Sequence, residues 1–212
     1  MSCLVDVAAL ARKDLLLELR GRDTVPAMLL FVLATFVVFH FVLPASASEL
    51  ATKGLLWVAI TFTAILGLTR AFAAERDEGV IDGLVLAARD RSAIWLGKAL
   101  SVLAFLLLAE VVALPAFALF FSGIDGQTIA AVALADLGIC AVGTLLAGMA
   151  ASSHARELLL PLLFLPLAIP VVIGGVGASV ASNSGKYVAF LALYDVVFAL
   201  VAWASFEYVV TE

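Results

Sequence analysis

Long apolar runs broken by short charged islands constrain this chain more than any other feature. Six stretches are nearly free of charge: Pro26 to Leu43, Gly54 to about Ala74, about Ala93 to Phe121, about Thr128 to Ala151, Leu158 to Ala181 and Tyr187 to about Val210. A helix needs about 20 apolar residues to cross the hydrocarbon core of a bilayer. A soluble chain of 212 residues could bury one core but would still need a polar surface. With 65% hydrophobic and 14% charged residues there is too little polar material to make one. The pattern predicts an all-α polytopic membrane protein with six transmembrane helices.

The positions of the charges predict its orientation. Arg12, Lys13, Arg20, Arg22, Arg70, Arg76, Arg89, Arg91, Lys98 and Arg156 fall on one side of this topology, and only Lys53 and Lys186 fall on the other. Lys and Arg gather on the cytoplasmic side of membrane proteins, so both termini are expected to be cytoplasmic. Before the first span, Leu4, Val7, Ala8, Ala11, Leu15 and Leu19 recur at intervals of three and four. That spacing predicts an amphipathic helix in the cytoplasmic interface. The competing reading is a helix that simply continues the first span. Asp6, Asp14 and Glu18 interrupt this segment, so it does not read as a signal peptide. The domain division is residues 1–25 as an interfacial helix and 26–212 as a six-span membrane domain, with a long inner loop at 75–92.

That loop carries Glu75, Arg76, Asp77, Glu78 and Asp82, then Gly83, Leu84, Val85 and Leu86, then Arg89, Asp90 and Arg91. The island predicts a short interfacial helix, whose acidic start and basic end suit the helix dipole and whose apolar ridge between charges suits docking into the groove of a soluble partner.

Ionisable residues inside spans are functional candidates by default. Glu110, Asp136 and Asp195 qualify. Two intramembrane aspartates raise the possibility of an aspartyl protease, but the Gly-x-Gly-Asp pattern is absent around both. Interhelical hydrogen bonding or a cavity-facing position is the competing reading. Glu110 could line a path or cap a neighbouring helix. Pro161, Pro166 and Pro170, followed by Gly174 and Gly175, predict a kinked fifth span that either flexes, lines a packing interface or is statically bent. His40 and His154 are the two histidines, and neither has a partner at ligand spacing. Cys3 and Cys140 form no CxxC or CxxCH motif. No Walker A, GxSxG, HExxH or GxGxxG pattern occurs. No catalytic or metal site is expected, nor is nucleic-acid binding.

Taken together, the chain resembles the haem exporter protein B family (CcmB), the membrane permease subunit of the cytochrome c maturation ABC transporter. The residues that carry the resemblance are Lys13-Asp14-Leu15 through Glu18-Leu19-Arg20, Glu75-Arg76-Asp77 through Gly79, Asp82-Gly83-Leu84, and the stretch from Leu158 to Gly174. The prolines common in that family before span three are missing from Ala87 to Ser92.

The resemblance implies an ABC-2-like permease in the bacterial inner membrane. It implies ATP on a separate cytoplasmic ATPase of the CcmA type, and haem handled by partners of the CcmC, CcmD and CcmE types. It implies no cofactor on this chain, and a homodimer within the complex. It also implies coupling to the ATPase through Arg12, Lys13, Arg20, Glu75, Arg76, Asp77, Glu78, Asp82, Gly83 and Leu84. The alternatives are a generic ABC-2 exporter for lipid or drug, an intramembrane enzyme, and a passive scaffold for a haem-handling partner.

Overall fold

The computed structural model describes all residues except 1, 22, 45, 74, 76–78, 80–82, 84–90, 122, 152–155 and 210–212. Its helices are α1 (Ser2–Gly21), α2 (Thr24–Val42), α3 (Glu49–Arg70), α4 (Arg91–Phe120), α5 (Gly126–Ala151), α6 (Arg156–Val180) and α7 (Gly185–Val209). Among the described residues there is no strand. Helices α2 to α7 are each long and apolar enough to cross a membrane, so the chain is a multi-pass membrane protein.

Helix α1 is separate from α2 and lies against α4. Its Val7 is buried, and Leu10 packs on the core. Gly97 on α4 makes this approach possible: a Cβ there would stand 2.8 Å from the Leu10 Cβ. Helix α2 begins with Pro26 in its first turn, where a missing N–H costs little. Its Thr24 and Val25 amides both donate to Glu18 Oε1 of α1, at 2.8 Å each. A carboxylate from one helix thus satisfies the free N–H groups at the start of the next.

Helix α3 starts five residues before the expected Gly54. Ser48 caps it by accepting from the Ala51 amide at 3.3 Å, and Glu49 occupies its first turn. The earlier start moves Lys53 out of the loop where it was expected. It is 1% exposed, and its Nζ donates to Gly123 O at 3.3 Å and Thr128 Oγ1 at 3.4 Å, tying α3 to the α4–α5 connection.

The bundle interior is built around α3 and α5. Small residues let helices approach closely, since lipid supplies little hydrophobic drive between spans. A Cβ at Gly143 would overlap Leu68, and one at Gly175 would overlap the Trp57 indole. Indole and phenol groups add cross-links: Trp57 Nε1 to Ser179 Oγ at 3.1 Å, Trp95 Nε1 to Ala141 O at 3.2 Å, and Tyr194 hydroxyl to Leu167 O at 2.8 Å. Pro161, Pro166 and Pro170 lie inside one continuous helix, α6. Of the readings offered for that span, a packing interface describes Gly174 and Gly175, which abut Leu191 and Trp57. Replacing Gly175 by Val is expected to destabilise the bundle by about 1–3 kcal/mol through overpacking. Thermal unfolding of the detergent-solubilised variant checks this, and an unchanged midpoint would contradict the close approach.

Candidate functional site: a buried ion cluster at the first-helix end

Where α1, α4 and the segment after α3 meet, an ion cluster is buried. Val7, Leu10 and Asp14 recur along one face of α1 at intervals of three and four, so the face that packs on α4 also carries a carboxylate to it. On α4, Lys98 follows the close-contact Gly97 and is 1% exposed. Its Nζ lies 2.9 Å from Asp14 Oδ2 and 2.7 Å from Glu75 Oε1, with the Phe72 ring centroid at 5.2 Å. Lys13 also pairs with Glu75 Oε1. Glu75 is 2% exposed, and its Oε2 has no hydrogen-bond partner among the described residues. Beside the cluster is a cleft of about 220 Å³ whose lining includes Asp14, Glu18, Arg70, Glu75 and Lys98.

Electrostatics favour the charged forms. Burial works to raise the Glu75 pKa, but the Lys98 charge and hydrogen bonds from Lys13 and Lys98 outweigh it, holding the carboxyl below 4.5. Burial works to lower the Lys13 pKa, and its contacts with Glu75 and Asp14 outweigh that, holding it above 10.5.

The expected coupling residues fall into three groups. Arg12 and Arg20 are exposed on α1, and Gly83 is exposed in the loop. Lys13 and Glu75 join the ion cluster, so Glu75 points into the protein rather than toward a soluble partner. Arg76, Asp77, Glu78, Asp82 and Leu84 lie outside the described residues, as does His154. The loop is not one uninterrupted helix from Glu75 to Arg91. Gly79 has a φ of 67°, a left-handed conformation that a right-handed helix interior excludes and that glycine adopts freely. Sequence reasoning missed Asp14 and Lys98 as partners. The available signal was a lysine inside an otherwise apolar span, which demands a counter-ion.

The intramembrane carboxyls form no catalytic pair of aspartates. Asp136 of α5 faces Glu110 of α4. Asp195 of α7 lies against Gly138, two residues further along α5. Two residues span about 200° around a helix, so Asp136 and Asp195 address different faces of α5. Among the described residues, Glu110 Oε1 and both oxygens of Asp136 and Asp195 are buried without hydrogen-bond partners. Among the described residues no His, Cys, Asp or Glu group could hold a metal. His40 donates Nδ1–H to Phe120 O at 2.8 Å and so links α2 to α4. Cys140 is a buried free thiol.

The fold and this cluster define a polytopic helical membrane protein with an additional helix ion-paired to one end of its span bundle. The chain belongs to the CcmB family, whose model, described as CcmB protein, matches residues 5–208. It is 32% identical over 203 residues to "Heme exporter protein B" of Bradyrhizobium diazoefficiens, covering 92% of this chain and 89% of that protein. It is 31% identical over 182 residues to "Heme exporter protein B" of Pseudomonas aeruginosa, covering 83% and 81%.

Two outcomes are expected from the cluster and the carboxyls. The Glu75 contribution to holding α1 is present above pH 4.5 and is lost as pH falls through its lowered folded value; the Lys13 contribution is present below pH 10.5 and is lost as pH rises through its raised one. Spin labels placed at the exposed Arg12 and Leu100 should therefore keep one separation between those limits and separate on stronger acidification; a change near neutral pH would contradict the assignment. The Asp136→Asn, Asp195→Asn double variant should retain a measurable fraction of function in a cytochrome c maturation assay, and complete loss would revive the enzyme reading.

Proposed function

We infer that the chain is the membrane permease subunit of an ABC-type haem-export complex serving cytochrome c maturation. The observation that carries this reading is the family match over nearly the whole chain, supported by six spans and an additional helix attached at one end. The chain itself is non-catalytic, and a separate ATPase of the CcmA type hydrolyses ATP. That ATPase docks on the end carrying α1 and the loop at 75–92, and the excess of basic residues at that end supports a cytoplasmic position. The complex sits in the bacterial inner membrane with both termini of this chain inside. Two copies supply the two membrane halves that an ABC transporter needs. Partners of the CcmC, CcmD and CcmE types handle haem, and ATP hydrolysis drives release of the haem-loaded chaperone.

Charge reversal at Arg76, Asp77 and Asp82 should reduce recovery of the ATPase when the tagged chain is isolated from native membranes. Recovery at the wild-type level would place the docking surface elsewhere. Isolation of the wild-type chain with an ATPase but without haem-handling membrane proteins would instead favour a generic exporter.

A further inference from the structure

The ion cluster is poorly built for stability alone. A buried ion pair loses in desolvation much of what it gains in attraction, so well-packed apolar residues often serve stability equally well. The placement of the cluster suggests another use. Glu75 is the first residue of the inner segment at 75–92, so force passed along the chain toward α3 reaches it directly. Glu75 bonds Lys98 at 2.7 Å, and Lys98 bonds Asp14 at 2.9 Å. One ammonium therefore joins the loop, α1 and α4. Helix α4 then runs the length of the bundle, from Arg91 to Phe120. The adjoining cleft, with Arg70 in its lining, gives Glu75 both space and a second cation for a change of partner.

We propose that Lys98 is the positioning residue that passes force arriving at Glu75 to α1 and α4 together. This rests on the reading that an ATPase docks at this end of the protein. Lys98 makes no contact with that ATPase. It acts through Glu75 and Asp14, so removing it should uncouple ATP hydrolysis from output while leaving the ATPase attached.

The experiment uses the intact complex purified from membranes and scores three quantities: ATPase recovered with the chain, ATP hydrolysed, and cytochrome c matured per ATP. Lys98→Met should retain ATPase recovery and hydrolysis while output per ATP falls about tenfold, the scale of a typical coupling free energy. Lys98→Arg, which keeps the charge, should restore much of the output.

Since Lys98→Met leaves two carboxylates facing no ammonium from α4, the triple variant Asp14→Asn, Glu75→Gln, Lys98→Met removes the charges together. It should fold, retain the ATPase and show the same loss of output. Wild-type output per ATP from either methionine variant would overturn the proposal. So would a loss that merely tracks the amount of complex assembled, because that is a structural role. Failure of the wild-type chain to recover any ATPase would overturn the docking reading instead, and it would show before any variant is compared.

Discussion

An ammonium group buried at one end of an apolar bundle must be neutralised where it sits, and the first-helix end of this protein is arranged around that requirement. Lys98 is almost wholly enclosed by the protein, and leaving such a charge without its partners costs about 3–5 kcal/mol. The requirement fixes more than one side chain. Asp14 must lie on the inner face of α1, so α1 must lie on α4. Gly97 must lack a side chain so that the helices come close enough for the pair to form. Glu75 must turn inward, which sets where the chain leaves α3 and enters the long loop. Glu18 then secures the other side of α1 by capping α2.

The two ends of the bundle use the same device to different extents. At the far end Lys53 is equally buried, but it is satisfied by the Gly123 carbonyl, the Thr128 hydroxyl and the Phe117 ring, whose centroid is 5.9 Å away. Neutral acceptors hold the α4–α5 connection against α3 without a carboxylate in direct contact. The first-helix end uses full charges from three separate elements. Between the ends, glycine contacts and indole hydrogen bonds fasten the spans. Each such bond inside a membrane contributes about 0.6 kcal/mol on average, so close packing carries much of the helix association. A bundle fastened in this way has a closely packed middle and one end rich in charge, a distribution that suits the proposed input from one side.

Most of the fold was legible because its signal is long and cumulative. Six lipid-length runs survive any error in a single residue, and the helices differ from the expected spans mainly at their ends. The α3 boundary was misplaced because Thr52 and Lys53 read as loop residues, although Ser48 and Glu49 form a helix start before them. The site was less legible. Pairs such as Asp14 with Lys98 are 84 residues apart, and one sequence gives no distance between them. Charge counting recorded Lys98 as a topological marker without revealing its counter-ions. Glu75 was placed among outward contacts because residues of the same charge share its island, and one sequence does not mark it as the buried one. Asp136 and Asp195 looked like a possible pair until their opposite placement around α5 was visible.

The central claim is that the end bearing α1 and the ion cluster receives force from a soluble ATPase. A structure of the intact complex from native membranes, with the ATPase present, tests it most directly. The expected structure has the ATPase seated across α1 and the loop at 75–92, with Asp14, Glu75 and Lys98 enclosed behind the interface. An ATPase seated on the Lys53 end, or one that engages the membrane domain away from α1 and the loop, would contradict it.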